Sequence, residues 1–502
     1  MEVIKKYKNQ IYFHLFLNLV IFLLITLSNY WHLPLVGFKD RLFYFIHAVL
    51  LQFSLFGYLY FLSINRIIFK ILFSILFLFF TFISFWMFSQ DVIISENIIH
   101  IALDTKIDIV YDLISFQFLF FYGFVIFILF LIFRFHDKIK VNQIKSPLLF
   151  IAFLSFSTYY LMNIYREGTF YYRLPYSFYF SVKNYCNKND VNLKPVNNKL
   201  NSTVDSLNVV FILGESVRAD HLQLNGYKRE TTPLLSKRKN LLSFPDAYTT
   251  NCFTAVSIPQ ILTNATLKDD YKDPKYSLID VLNKAEINTN WIGNQTPEKG
   301  YQTFINQSIH NKIIDPLHSD MSFIKDYDQE LLPYFSKQFN LHKKQFLVMH
   351  MMGSHWWYET RYPKMFRKFT PVISSKYVPA NTNFEMINSY DNTILYLDFF
   401  INQTIAEIEK TKSNTILIYL SDHGEMLGEN NQWLHAQDNK FLTNPAMIIW
   451  YSDQFYKKNK EIVESLESNR LKKTDLDFFF HSILDLYQIN NIDFKKSKSI
   501  FR

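Results

Sequence analysis

The pattern of hydrophobic positions differs between two parts of the chain. Up to residue 165 they form five continuous apolar runs, each close to the roughly 20 residues that an α-helix needs to cross the hydrocarbon core of a bilayer. These runs are residues 11–31, 42–63, 71–88, 113–133 and 147–165. The pattern predicts an α-helical membrane domain of five spans over residues 1–166. The first run is too long for the core of a signal peptide, so we expect it to remain as an anchor.

The charges between the runs predict the orientation of this domain. Nine basic residues lie in the N-terminal tail and in the loops after the second and fourth runs: Lys5, Lys6, Lys8, Arg66, Lys70, Arg134, Lys138, Lys140 and Lys145. The other side has three: Lys39, Arg41 and Lys106. Because positively charged loops stay in the cytoplasm, the N-terminus is expected there. Five crossings then place everything after residue 166 outside.

From about residue 206, short β-branched runs alternate with helical stretches. Buried strands are indicated at residues 208–213, 288–292, 345–350, 414–420 and 446–451. Residues 389–410 have the pattern of a long amphipathic helix. Continuous apolar strands suit a parallel sheet covered on both faces, so residues 206–502 are predicted to form a mostly parallel, doubly wound α/β domain. The polar and Tyr-rich residues 167–205 are predicted to be an interfacial linker.

Composition narrows the class of protein. The 502 residues include 52 Phe and 32 Tyr but only 11 Gly, which excludes collagen-like and disordered chains. The net charge of +8 divides equally between the two parts of the chain. Residues 1–146 have 12 basic and 8 acidic residues, and residues 147–502 have 40 basic and 36 acidic residues. Half of the net positive charge therefore lies in the membrane domain, where it follows the orientation in the membrane. The rest of the chain is nearly balanced in charge, so a nucleic-acid partner is not expected. Two cysteines, Cys186 and Cys252, exclude a disulfide-dense scaffold.

Polar residues with metal-binding side chains follow three of the predicted strands. Glu215 follows the strand at 208–213, His355 follows the strand at 345–350, and Asp422-His423 follows the strand at 414–420. In open α/β sheets, ligands bind beyond the carboxyl ends of the strands, so these segments are expected to form one site. Two carboxylates and an imidazole suit zinc with one open position, and on ligand type alone manganese or magnesium is the alternative.

The fourth ligand is expected to be a nucleophile. The segment 249–257 (TTNCFTAVS) offers Thr250, Thr254 and Ser257 as candidates. A hydroxyl beside a metal ionises far more readily than a free one, which makes it a usable nucleophile. Glu215 and Thr254 could instead cap the N-terminus of a helix, where carboxylates and hydroxyls are favoured. Cys252 is predicted to be an ordinary core or loop thiol.

Four segments of the chain resemble the bacterial phosphoethanolamine transferases, membrane-bound members of the alkaline phosphatase/sulfatase superfamily. They are GESVRADHLQLNGYKRETTP at 214–233, TAVSIP at 254–259, HMMGSH at 350–355 with RYP at 361–363, and SDHGEMLGENNQWLH at 421–435. Motif order and spacing match, and the resemblance covers the membrane domain and the exterior domain. It implies zinc as the cofactor, in one tight site, and leaves open a second metal bound transiently.

The resemblance also implies roles for individual residues. The implied zinc ligands are Glu215, Thr254, Asp422 and His423. The implied catalytic residues are Thr254, which accepts the phosphoethanolamine, and His355 and His435, which face the transferred group. A looser match places His350, Asn294 and Lys299 in the substrate pocket.

The predicted function is transfer of phosphoethanolamine from phosphatidylethanolamine to lipopolysaccharide, on lipid A or an inner-core sugar, through a phospho-threonine intermediate. The chain would lie in the bacterial inner membrane with its catalytic domain in the periplasm. The alternatives are a phosphoglycerol transferase, a phosphodiesterase- or sulfatase-type hydrolase of the same superfamily, or an inactive binding protein. The lipid A branch has cysteines where this chain has Thr250 and Gln260, so the acceptor is left open.

Overall fold

The computed structural model describes residues 2–31, 33, 35, 37–90, 94, 99, 116–165, 170–186, 191–269, 271–298, 300–318, 325–375, 378, 381–429, 432–434, 439–489, 491–492 and 494–502. The chain forms two compact units. The first comprises Met1–Asn187 with the short segments Leu317–Phe323 and Ser375–Ala380. The second comprises Lys188–Pro316, Ile324–Ser374 and Asn381–Arg502.

The first unit is helical. Its main helices within the described residues are α1 (Glu2–Ile21), α2 (Phe38–Ile64), α3 (Ser74–Gln90), α4 (Phe116–His136), α5 (Leu148–Tyr165) and α6 (Tyr176–Cys186). A π-helical turn, Phe22–Thr26, extends α1 towards the short helix Ser28–Trp31. Two further turns, Arg66–Ile68 and Phe69–Phe73, lead into α3. The chain therefore begins with a membrane-type helical domain.

Four stretches of this unit are long and apolar enough to cross a membrane: Lys5–Thr26, Phe38–Ile64, Arg66–Ser89 and Phe116–His136. The sequence predicted five. The fifth run falls on α5, whose apolar stretch within the described residues is the shorter Leu148–Met162. At 1.5 Å per residue that stretch is about 22 Å long, against a hydrocarbon core of about 30 Å. The structure thus supports four spans by length and composition.

A small residue joins α2 to α5. The backbone N–H of Gly57 donates to Ser155 Oγ over 2.7 Å, and a Cβ at Gly57 would overlap that oxygen and the carbonyl of Ala152. Helices in membranes associate through such close backbone approaches, because lipid provides no hydrophobic drive between them. This contact fixes α5 against a helix that is long enough to span.

A seven-stranded sheet forms the centre of the second unit. Its strands are β1 (Leu207–Gly214), β2 (Leu241–Phe244), β3 (Asn288–Gly293), β4 (His310–Ile313), β5 (Lys344–His350), β6 (Thr415–Ser421) and β7 (Met447–Tyr451). The spatial order is β2-β7-β6-β1-β5-β3-β4. Strands β6, β1, β5, β3 and β4 are mutually parallel. The sequence predicted the first four of these strands and missed β4.

The strand at 446–451 corrects one expectation. It was predicted within a parallel sheet, but β7 runs antiparallel to both of its neighbours, β6 and β2. All five residues of β7 are buried. A strand buried on both faces is continuously apolar in either direction, so its hydrophobic pattern carries no information about which way it runs.

Helices cover both faces of the sheet. They are α7 (Thr254–Leu262), α8 (Leu278–Lys284), α9 (Gln302–Gln307), α10 (Leu332–Gln338), α11 (Asn383–Thr411), α12 (Asp453–Lys458), α13 (Lys460–Asn469) and α14 (Phe478–Leu486). The predicted long helix is α11, which begins earlier than expected because Thr382 and Glu385 form a capping box at its start. Two-residue strands pair outside the sheet: Leu193–Lys194 with Lys275–Tyr276, Ala247–Tyr248 with Thr474–Asp475, and Met426–Leu427 with Trp433–Leu434.

The carboxyl ends of β1, β3, β5 and β6 lie at one edge of the sheet. Gly214 pairs with Ser421, and His350 pairs with both Leu213 and Gly293. The residues that follow these strands therefore meet at that edge. At this edge, the backbone of Gly353 packs closely on the backbone of Glu215. The positive φ of Gly353, +53°, allows the chain after β5 to turn there.

Replacing Gly353 by Ala is expected to destabilise the second unit more than replacing Gly226 by Ala. Both glycines have positive φ, which costs another residue about 1–2 kcal/mol. A Cβ at Gly353 would also lie 2.9 Å from the Glu215 carbonyl oxygen, whereas a Cβ at Gly226 would meet nothing within 4 Å. Thermal unfolding midpoints of the two full-length variants measure the difference. Equal midpoints would contradict the packing of Gly353 on Glu215.

Candidate metal centre

Three side chains at this edge bring their ligand atoms within 4.8 Å of one another: Glu215, Asp422 and His423. All three are fully buried. His423 Nε2 lies 3.4 Å from Glu215 Oε1 and 3.5 Å from Asp422 Oδ2. Its Nδ1 lies 2.7 Å from the Gly424 carbonyl, which accepts hydrogen bonds only, so Nδ1 is the ring nitrogen that donates there. In the neutral ring, the lone pair of Nε2 then faces two carboxylates.

The electrostatics of this cluster favour an added positive charge. Burial, together with the charge of Glu215, raises the pKa of Asp422 to about 7. Burial opposes charge on His423, but the carboxylates of Asp422 and Glu215 outweigh it and raise the pKa of His423 to about 10. Buried charges require a partner or a metal. Two oxygens and one imidazole nitrogen are a donor set that fits a divalent cation such as zinc.

Thr254 supplies a hydroxyl to the same cluster. It stands at the first position of α7, half-buried, and its Oγ1 donates to Glu215 Oε2 over 2.7 Å. The two rival hydroxyls point elsewhere. Thr250 donates to the Leu267 carbonyl over 2.6 Å, and Ser257 is buried in α7 with no hydrogen-bond partner among the residues that the structure describes. The geometry thus separates three candidates that the sequence left open.

A hydrogen bond joins Thr250 and Gln260, the two positions at which the lipid A branch is expected to have cysteines. The Gln260 amide nitrogen lies 3.5 Å from Thr250 Oγ1, and Thr249 Oγ1 donates to Gln260 Oε1 over 3.2 Å. These contacts tie α7 to the strand segment before it. The thiols of Cys186 and Cys252 are not joined in a disulfide.

For the remaining predicted residues, the structure gives contacts outside the cluster of Glu215, Asp422 and His423, or gives no description. His355 lies in the turn after β5, with Nδ1 2.5 Å from the Trp356 carbonyl, and its own carbonyl accepts from Arg361 Nε over 2.9 Å. The Nδ2 of Asn294 donates to the Asp326 carbonyl and to Asp328 Oδ1 over 2.8 and 2.9 Å, and its predicted role in the substrate pocket stays a prediction. His435 and Lys299 lie outside the described residues, and their predicted roles stay predictions.

His350 is enclosed in an aromatic environment. It is fully buried at the end of β5, with the rings of Trp291 and Tyr301 edge-on at 5.6 and 5.2 Å. Neither ring nitrogen has a hydrogen-bond partner among the described residues. Burial lowers the pKa of His350 to about 3, so the ring is neutral at physiological pH. A role as a cationic phosphate ligand is therefore unfavourable, and its predicted contact with substrate stays untested.

One residue of this site was not singled out from the sequence. Gln295 is buried, and its Nε2 donates to Glu215 Oε2 over 3.1 Å and to the Met351 carbonyl over 3.0 Å. It stands two residues beyond the end of β3, whereas Glu215 directly follows β1. The resemblance named its neighbour Asn294, which directly follows β3, and the sequence reasoning missed Gln295.

The class of protein is defined by membrane-type helices, followed by a mostly parallel sheet with a group of side chains at its carboxyl edge that could hold a metal. A family model described as Sulfatase matches residues 207–489, more than half of the chain. The chain belongs to this sulfatase family. Within it, the chain is similar to the phosphoethanolamine transferases.

Two curated relatives illustrate that similarity. Phosphoethanolamine transferase EptA of Escherichia coli (strain K12) is 31% identical over 261 residues, which are 50% of this chain and 47% of the relative. Kdo(2)-lipid A phosphoethanolamine 7''-transferase of the same strain is 29% identical over 273 residues, which are 50% of this chain and 46% of the relative. The match thus spans about half the length of these proteins.

Two solved structures share the fold. The integral membrane protein lipooligosaccharide phosphoethanolamine transferase A from Neisseria meningitidis aligns over 97% of both chains, with a TM-score of 0.57 and 23% identity. The C-terminal periplasmic domain of EptC from Escherichia coli, solved in complex with Zn, covers 62% of this chain and 90% of that domain, with a TM-score of 0.54 and 24% identity. The first shows the order of a membrane domain followed by a sulfatase-like domain.

Proposed function

We propose that this protein is a zinc-dependent transferase that moves phosphoethanolamine from phosphatidylethanolamine to lipid A or another acceptor on lipopolysaccharide. The observation that carries the proposal is the Thr254 hydroxyl, held 2.7 Å from a carboxylate of the three-ligand cluster. Similarity to phosphoethanolamine transferases, one of which is a Kdo(2)-lipid A transferase, supports the transferred group and a lipid A acceptor.

The residues that would hold the zinc are Glu215, Asp422, His423 and Thr254. When bound, zinc acts as a Lewis acid on phosphoryl oxygens and makes a neighbouring hydroxyl easier to ionise. The chain supplies the remaining features. Burial of the three ligands excludes water, and the N-terminal position of Thr254 on α7 places partial positive charge beside the phosphate.

The transfer runs in two displacements. Thr254 Oγ1 forms a bond to phosphorus as the bond from phosphorus to the diacylglycerol oxygen breaks. The acceptor oxygen then attacks the same phosphorus, and Thr254 Oγ1 leaves. Each leaving oxygen needs a proton, and each attacking hydroxyl loses one. With His355 Nδ1 held by the Trp356 carbonyl, Nε2 is the atom assigned to this exchange, shared with His435 as the resemblance implies.

A membrane domain suits a lipid donor, which itself lies in the bilayer. We propose that the short helix α5 is the fifth crossing, so that the N-terminus is cytoplasmic and the catalytic domain periplasmic. The 18 residues of α5 extend about 27 Å, and snorkelling side chains or local thinning of the bilayer compensate for a small mismatch. The nine basic residues on the cytoplasmic side favour the same orientation.

Labelling of Cys186 tests this topology. Cys186 is exposed at the end of α6, after α5, and the Cys252→Ser variant retains it as the sole cysteine. A membrane-impermeant maleimide is expected to label it in cells with a permeabilised outer membrane. A Lys140→Cys variant lacking both native cysteines serves as the cytoplasmic control and should react only after lysis. If Cys186 also reacts only after lysis, α5 does not cross.

Substitution of Thr254 tests the chemistry. Thr254→Ala is expected to abolish phosphoethanolamine addition, because the covalent intermediate cannot form, whereas Thr250→Ala should retain it. Mass spectrometry of lipopolysaccharide from cells that express each variant is the measurement. Addition that persists in Thr254→Ala would refute the nucleophile, and a glycerol-phosphate mass in the wild type would identify the phosphoglycerol alternative.

A further inference from the structure

The carboxylate of Glu215 has nearly all of its acceptor capacity occupied by the protein. A carboxylate offers about four lone-pair sites on its two oxygens. Ser216 Oγ donates to Oε1 over 2.7 Å, while Thr254 Oγ1 and Gln295 Nε2 donate to Oε2 over 2.7 and 3.1 Å. Glu215 Oε1 also lies 3.4 Å from His423 Nε2. Together these contacts restrict rotation of the carboxylate.

Gln295 differs from the other two donors in how it is anchored. Ser216 is the chain neighbour of Glu215, and Thr254 is the reacting group. Gln295 belongs to another strand, and the second hydrogen of its amide is bound by the Met351 carbonyl over 3.0 Å. The residue is fully enclosed, with 2% of its surface exposed. One amide thus connects the carboxyl ends of β1, β3 and β5.

The segment that follows Gln295 reaches the nucleophile helix. Gly300 packs on the backbone of Ala255, where a Cβ would overlap the Ala255 carbonyl oxygen. Next to Gly300, the Tyr301 hydroxyl donates to the Thr296 carbonyl over 2.7 Å. Gln295 thus contacts the proposed metal ligand Glu215, and Gly300 packs on the residue beside Thr254.

We propose that Gln295 is a positioning residue, which orients the Glu215 carboxylate for metal binding and holds Thr254 in register with it. This inference rests on the proposed function for its metal and its nucleophile. Gln295 itself binds neither metal nor substrate. Groups that orient metal ligands in this way typically contribute 10–100-fold to metal affinity or activity, because a ligand free to rotate presents the wrong lone pair.

A pair of matched substitutions tests the inference. Gln295→Leu removes the amide at the site. Gln345→Leu removes an equally buried amide at the start of β5, on the opposite edge of the sheet, where it donates to the Gln338 carbonyl over 2.6 Å. Both variants lose buried hydrogen bonds, so both should lose stability. The two differ in whether the lost amide contacts Glu215.

Zinc affinity of the purified full-length chains, measured by competition with a chromogenic chelator, is the principal measurement. Gln295→Leu should weaken zinc binding about 10–100-fold, whereas Gln345→Leu should leave it unchanged. In transfer assays, Gln295→Leu should lower kcat with little change in KM. If Gln295→Leu does not fold, Gln295→Met, which keeps the unbranched shape of the side chain, replaces it with the same expectation.

The outcomes separate the inference from the proposed function. Unchanged zinc affinity in a folded Gln295 variant would overturn the positioning role while the transferase proposal stands. Equal weakening in Gln295→Leu and Gln345→Leu would also overturn it, because the effect would then be general destabilisation. A wild-type chain that binds no zinc would refute the metal in the proposed function, and the inference with it.

Discussion

Two carboxylates and an imidazole lone pair converge in a space from which water is excluded. Glu215, Asp422 and His423 are fully buried, and three of their acceptor atoms face one another. An isolated arrangement of this kind is unfavourable, because buried charge that lacks a partner carries a large desolvation cost. A cation resolves it, and the carboxylates of Asp422 and Glu215, which raise the pKa of His423 against the effect of burial, favour positive charge at the same place. The other contacts of the site are organised around this requirement.

The parallel sheet makes the convergence feasible for residues far apart in sequence. Glu215 and Asp422 are separated by about 200 positions, but β1 and β6 are neighbours in register, so both side chains emerge at the same edge. Thr254 arrives from a different direction, at the start of α7, and joins through its hydrogen bond to Glu215. Gly353 and Gln295 then restrict Glu215 from two further strands. The proposed nucleophile and the candidate metal ligands are thereby held by rigid elements, which favours precise chemistry over adaptability.

Strand ends explain what the sequence could and could not predict. Glu215, Asp422 and His423 were predicted because each directly follows a continuous apolar strand, and that pattern depends on local sequence alone. Thr254 was distinguished from Thr250 and Ser257 by the resemblance, and in the structure by hydrogen bonds that no spacing rule contains. The direction of β7 was missed because burial on both faces looks the same either way. Gln295 was missed because it lies two residues beyond β3, where the path of the chain outside the strand decides which side chain faces the site. Asn294 was named by the resemblance alone.

X-ray absorption at the zinc edge of the purified, zinc-loaded full-length chain tests the central claim most directly. The account predicts a shell of oxygen and nitrogen atoms at about 2.0–2.2 Å that contains a single imidazole, as supplied by Glu215, Thr254, Asp422 and His423. A sulfur atom at about 2.3 Å, or a second imidazole, would mean that zinc binds elsewhere and would contradict the account.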